Sequence, residues 1–222
     1  LEAVPAANAR DIGLDRSMIG AYGHDDRVCA YAELAAIFDA KAPKKTAVCI
    51  FADKEEIGSE GVSGMQGEAF EYFMECLCKA QNVDLRTCLA NSFCLSADVC
   101  AAFDPGFSEV FERKNAAYLN YGVGLCKYTG SGGKSGASDA SSELVGRIRK
   151  LLNDESIAWQ MCELGKTDAG GGGTVAKFMA KRNIDTLDAG VPVLSMHAPF
   201  EVVAKYDCYM TYRAVKAIFE KN

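Results

Sequence analysis

Runs of apolar, β-prone residues alternate along this chain with stretches whose apolar residues recur at helical spacing. That is the pattern of a layered α/β domain in which helices cover a mainly parallel sheet. RSMIGAY (16–22) predicts a first strand, and DRVCAYAELAAIFDA (26–40) a helix burying Val28, Tyr31, Ala32, Ala35 and Phe38. KTAVCIFA (45–52) lacks polar alternation and predicts a central strand covered on both faces. GEAFEYFMECLCKA (67–80) sets Phe70, Phe73, Met74 and Leu77 at helical spacing, and RTCLANSFCLS (86–96) returns as a strand. YGVGLCKYT (121–129) then reads as strand, SDASSELVGRIRKLLN (138–153) as helix and IAWQMCEL (157–164) as strand. Two glycine-rich stretches, TGSGGKSGAS (129–138) and DAGGGGTVA (168–176), read as loops. A final helix from about Glu201 to Lys221 is introduced by Pro199 near its first turn.

No internal boundary interrupts this alternation, so the 222 residues predict one compact domain. A net charge of -6, with scattered rather than clustered Lys and Arg, argues against a nucleic-acid groove and against attraction to anionic lipid. No apolar run approaches the ~20 residues of a spanning helix, and the opening LEAVPAANARD lacks the regions of a signal peptide. A cytoplasmic location is therefore expected. None of the ten cysteines forms a CxxC pair, which favours buried, reduced thiols over a metal knuckle or a disulfide framework. Neither glycine-rich stretch has the spacing of a phosphate-wrapping loop, which argues against nucleotide binding.

The chemistry lies at the predicted strand ends. Asp25 and Asp26 in GHDDRV follow the first strand, Glu55 and Glu56 in DKEEIG the second, Asp98 in SADV the third, and His197 in LSMHAPFE the last. Polar groups at the carboxyl ends of parallel strands converge on the crevice where open α/β sheets bind ligands. Three carboxylate positions and one imidazole form a donor set for zinc or another divalent ion. One carboxylate can bridge two ions, and of two adjacent glutamates one can bind metal while the other serves as a base. Taken singly, an acidic pair is more often a solvated surface charge and a lone histidine a structural hydrogen-bonding group. The joint occurrence at successive strand ends favours the metal.

At these residues the sequence resembles the aspartyl aminopeptidase family, cytosolic dinuclear zinc exopeptidases that remove N-terminal residues from peptides. GLDRSMIGAYGHDDRVCAYAEL (13–34), FADKEEIGSEG (51–61), SADV (96–99), KYTGSGGKSGASDA (127–140), ELGKTDAGGGGTVA (163–176) and VPVLSMHAPFEVVAKYD (191–207) resemble its blocks, in its order. The resemblance implies an α/β/α zinc-exopeptidase fold in which Asp25 bridges two zinc ions, Asp98 holds the first, and Glu56 and His197 hold the second. It implies Glu55 as the general base that activates a water, and Asp26 as a support for the ligands rather than a ligand. Lys127 and Lys134 fall in the region that receives the substrate's first side chain, where a cation suits an acidic residue.

The family's N-terminal half, with its His-x-Asp ligand motif, and its inserted dimerisation domain have no counterpart here. Only His24 and His197 are present, and His24, next to Asp25 in extended chain, points to the opposite face. Residues 1–222 are therefore expected to be the C-terminal part of a catalytic domain. The expected consequences are one well-held zinc at most, little activity alone, and exposed apolar surface. Such a surface favours association as a homo-oligomer or with a separate N-terminal portion. Two other readings share the acid cluster: a non-catalytic binding or assembly module, and a related cocatalytic metallohydrolase such as a deacetylase or carboxypeptidase.

Overall fold

The computed structural model describes residues 1–132 and 135–221. The chain opens with β1 (Arg10–Ile12), β2 (Met18–Ala21) and α1 (His24–Asp39), and reaches α2 (Ala69–Ala80) only after a long stretch without strand or α-helix. Then follow α3 (Leu85–Ala90), β3 (Phe93–Ser96), β4 (Cys100–Ala101), β5 (Val123–Cys126), β6 (Tyr128–Ser131) and β7 (Ser135–Asp139). The rest comprises α4 (Ser142–Asp154), β8 (Trp159–Met161), α5 (Ala176–Lys181), β9 (Asp185–Gly190), β10 (Pro192–Leu194), β11 (Glu201–Ala204) and α6 (Lys205–Lys221).

One sheet runs β1-β2-β11-β10-β4 and another β3-β9-β5-β8, with β6 and β7 as a separate hairpin. The pairs β3–β9, β5–β8 and β10–β4 are parallel and the other strand pairs antiparallel, so pairing is mixed, with less parallel weight than periodicity suggested. The run 185–194 belongs to both larger sheets. Its first part pairs with β3 and β5, its last part with β11 and β4, and buried Val191 marks the switch.

Alternation across the pleat builds three layers. Val123, Leu125, Leu187 and Ala189 pack against Leu144, Ile148 and Leu152 of α4 and against Met210, Ala214 and Ile218 of α6. On the second sheet's other face, Cys94 packs with Phe70 and Met74 of α2, Leu89 of α3, and Phe178 and Met179 of α5. A smaller core of Cys29, Val99, Val191, Val193 and Val203 joins α1 to the first sheet. At the start of α6, buried Asp207 accepts the backbone N–H of Asn120 and of Gly122, at 2.8 Å each, which anchors the loop entering β5.

Several expected elements differ. Residues 46–52 form no strand, because an extended segment becomes one only where a neighbour takes its amides and carbonyls, and none of the described strands pairs with it. The expected strand 86–96 begins as α3, since Asp84 caps that helix by accepting the N–H of Thr87 at 2.8 Å. The glycine-rich stretch 129–138 contributes to the β6–β7 hairpin, although Lys134 lies outside the described residues. The final helix starts at Lys205. Residues 201–204 ladder to β2 and β10, as β-branched Val202 and Val203 favour. On α1 the buried residues are Cys29, Ala32 and Ala36, whereas Tyr31 and Phe38 are 72% and 80% exposed. On α2 the buried residues are Phe70, Met74 and Cys78, and Phe73 is exposed. All ten cysteines are free thiols.

Candidate metal centre

Asp25 follows β2 by way of Gly23 in the left-handed region, and both Asp25 and Asp26 have non-helical backbone angles before the regular helix begins. Asp98 leaves the end of β3 and passes so close to β9 that a Cβ on Gly190 would fall 2.0 Å from its carbonyl oxygen. His197 sits in the turn between β10 and β11 with φ 64°. That conformation costs a residue with a side chain roughly 1–3 kcal/mol. Glu55 and Glu56 begin a single 3-10 turn, Glu55–Ile57, flanked by left-handed Lys54 and Gly58.

These positions, scattered over the sequence, converge. His197 Nε2 lies 2.9 Å from Asp25 Oδ2 and 3.2 Å from Glu56 Oε1, with the imidazole 61% exposed and the Asp25 side chain 6%. A tetrahedron with ~2.1 Å zinc–donor bonds has edges of ~3.4 Å, so the two separations from the imidazole are already near the spacing such an ion requires, and all three donor atoms lie within 4.8 Å of one another. Asp25, Asp26 and Asp98 form a second group whose donor atoms lie within 4.8 Å of one another. Asp25 thus belongs to both groups, and Asp26 stands beside the donors in the second. His24 is in neither group among the described residues, and its buried Nε2 has no hydrogen-bond partner. Burial lowers the proton affinity of the His24 imidazole.

Burial dominates the electrostatics, and neighbouring carboxyl groups add to it. Burial, then the Glu56 charge, raises Asp25 to about 7, and burial raises Asp26 to about 8. Asp98 is pushed well above the carboxylate range by burial and by Asp26 and Asp25, and Glu55 is raised by burial and Glu56. A divalent cation among these groups would reverse the balance, because each oxygen would then face positive charge. The donor set fits zinc: one imidazole nitrogen with carboxylate oxygens.

Asp25, Asp26, Glu55, Glu56 and Asp98 line one end of a cavity of about 930 Å³. Its remaining wall mixes apolar side chains, including Val48, Phe70, Met74, Leu77 and Leu95, with polar ones such as Arg27, Glu33 and Lys45, and it is lined by residues 45–56 on one part and by 91–98, which include β3, on another. Lys127 lies outside that lining and is ion-paired with Asp139.

Two buried acids that sequence reasoning missed hold the surroundings in place. Asp188 on β9 accepts hydrogen bonds from Ser96 Oγ at 2.7 Å and Thr174 Oγ1 at 2.6 Å, with Thr129 Oγ1 at 3.4 Å. It thereby ties β3, β6 and the glycine-rich loop together. That loop packs so tightly that a Cβ on Gly171 would meet the Gly130 carbonyl at 1.9 Å. Glu201, 2% exposed, accepts the N–H of His197 at 2.7 Å and of Asp25 at 3.1 Å. A carboxylate inside an otherwise apolar strand run, EVVA, was the available signal, since such a group must find donors.

A three-layer α/β domain that gathers Asp25, Asp98 and His197 from strand ends and a glutamate pair from a 3-10 turn, one carboxylate shared by two donor groups, has the make-up of a metal-binding domain. The chain belongs to the Peptidase M18 family, aminopeptidase I zinc metalloprotease (M18), whose pattern matches residues 1–219. It is 50% identical over 228 residues to the probable M18 family aminopeptidase 1 of Borrelia garinii subsp. bavariensis, covering 100% of this chain and 50% of that protein. It is 48% identical over 221 residues to the protein of the same description in Clostridium acetobutylicum, covering 98% and 48%. Among solved structures, the M18 family aminopeptidase from Thermotoga maritima superposes with TM-score 0.95 at 46% identity, over 99% of this chain and 50% of that one. Aminopeptidase I from Clostridium acetobutylicum superposes with TM-score 0.93 at 47% identity, over 98% and 48%. The chain thus spans about half the length of the curated relatives it matches.

Proposed function

We propose that this chain carries the zinc-binding portion of an aminopeptidase site that hydrolyses the N-terminal bond of peptides. The observation that carries the proposal is the convergence of Asp25, Glu56 and His197, with Asp25 and Glu56 lining the same cavity as Glu55. Asp25, Glu56 and His197 would hold one zinc, while Asp25 and Asp98 would hold part of a second site, with Asp26 beside them. Bound zinc makes water more acidic and polarises the scissile carbonyl. Glu55, next to Glu56 in the same turn and raised in proton affinity by burial, accepts the proton of the attacking water and returns it to the departing amine. Lys127, paired with exposed Asp139 in this chain, would receive the substrate's first side chain, where its cation suits an acidic residue.

The partner proposed is an extended segment from the remaining half of the relatives' length, lying between residues 46–52 and β3 and taking hydrogen bonds from both. Exposed Tyr31, Leu34 and Phe38, on one face of α1, offer further apolar surface for that polypeptide or a second copy. No helix among the described residues is long and apolar enough to cross a membrane. Ten unpaired thiols suit the reducing cytoplasm.

The test combines zinc content with turnover, the latter assayed with the complementary half restored. Glu55→Gln should keep zinc yet lose turnover by about 10²–10⁴-fold, whereas Glu56→Gln and His197→Ala should lose zinc. Equal zinc loss in the two glutamate variants would overturn the division of roles. Cleavage of N-blocked peptides as fast as free-amine peptides would replace the aminopeptidase with the deacetylase or carboxypeptidase reading. Zinc binding without any turnover would leave the assembly module.

A further inference from the structure

We infer that Glu201 is a positioning residue that fixes the spacing between Asp25 and His197. The inference rests on the proposed metal centre and adds a residue to it. The two oxygens of this buried carboxylate serve different strands' ends, Oε2 accepting the Asp25 amide at 3.1 Å and Oε1 the His197 amide at 2.7 Å. The two donors lie 172 residues apart in sequence (197 − 25) and meet in space, His197 Nε2 being 2.9 Å from Asp25 Oδ2. One rigid group therefore bridges the two turns that deliver both side chains.

The placement follows from the sheet. Glu201 opens β11 directly opposite Ala21, the last residue of β2, so its side chain lies beneath the point where the chain leaves β2 for Asp25. On its own strand it is four residues past His197, close enough to receive that residue's amide across the turn. The contact also stabilises the left-handed backbone that His197 adopts. Because Glu201 is 2% exposed, water cannot take over either bond if the carboxylate is changed.

The molecule contains an internal control. Asp207 makes the same kind of double contact, to the amides of Asn120 and Gly122, which lie in the loop before β5 and belong to neither donor group. Loss of that contact should lower stability alone, whereas loss of the Glu201 contact should loosen the metal donors.

The experiment measures zinc affinity by chelator competition, together with unfolding free energy, for the wild-type chain, Glu201→Gln and Asp207→Asn. Glutamine keeps the shape but turns a donor towards a donor. Glu201→Gln is expected to bind zinc about 10–100-fold more weakly, while Asp207→Asn keeps wild-type affinity. Wild-type affinity in a folded Glu201→Gln overturns the inference, as does an equal loss in both variants. Amide hydrogen exchange on the metal-free wild type decides the contact independently of metal. Protected Asp25 and His197 amides support it, and unprotected ones overturn it even if no variant folds. If the wild type binds no zinc, the metal-centre reading fails, and the exchange result still decides the contact.

Discussion

Glu56 and His197 meet at 3.2 Å, yet they are held by very different parts of the molecule. His197 stands on the turn between two laddered strands, with its amide tied to Glu201 and the first sheet behind it. Glu56 stands on a 3-10 turn within residues 46–68, a stretch without a strand, bounded on one side by the 930 Å³ cavity. The contrast teaches that this chain specifies half of its site by its own hydrogen-bond ladders. The other half is shaped by local turn geometry, on a stretch that none of the described strands pairs with.

The largest expected effect is on amide exchange. Residues 46–52 should exchange orders of magnitude faster than β9 and β11, since their amides have no strand partner. Adding a polypeptide that corresponds to the relatives' remaining half should slow that exchange selectively. Slow exchange in the chain alone would erase the distinction between the two regions.

A second measurement sharpens it through packing. Leu125, 1% exposed between α4 and α6, should cost about 2–5 kcal/mol when replaced by Ala, read from denaturant unfolding. Phe51→Ala, at an exposed position beside Val48 and Ala52, which pack against the α2–α5 core, should change stability by less than ~0.5 kcal/mol. Comparable losses would mean that Phe51 is held as firmly as the side chains of the second sheet.

The smallest effect concerns pH. Burial raises Asp188 from 3.8 to about 6, so the folded state binds its proton more tightly than the unfolded state does. Its contribution is therefore most favourable below about pH 4, declines as pH rises towards 6, and is flat above that. Relative to Asp188→Asn, the wild type should lose on the order of 2 kcal/mol between pH 4 and pH 7. A pH-independent difference would show that the three hydroxyl donors offset the burial of this carboxylate.

How much of this was legible in the sequence depended on whether the deciding partner was local. Asp25, Asp98 and His197 follow β2, β3 and β10 as the apolar runs before them suggested, whereas Glu56 comes to His197 from a 3-10 turn that follows no strand. Residues 46–52 have the composition of a central strand, but composition cannot supply a neighbour. On α1, periodicity selected a face with Tyr31 and Phe38, while the core took Cys29, Ala32 and Ala36, where small side chains let the helix approach closely. Glu201 was hidden because Pro199 suggested a helix start, and the cross-strand pairing with β2 that overrides it joins residues some 180 positions apart. Asp188 and Asp207 accept hydrogen bonds from distant donors and carry no local mark.

The run 185–194 is shared by two sheets, and this limits how the gene can change. Inserting one residue before Val191 would turn Asp188 away from its hydroxyl donors or shift β10 against β4 and β11, because strand side chains alternate every residue. Deleting one would do the same in the opposite direction. Length variation within the lineage should therefore accumulate in the loops and avoid these ten positions, where a single codon gained or lost disturbs both ladders.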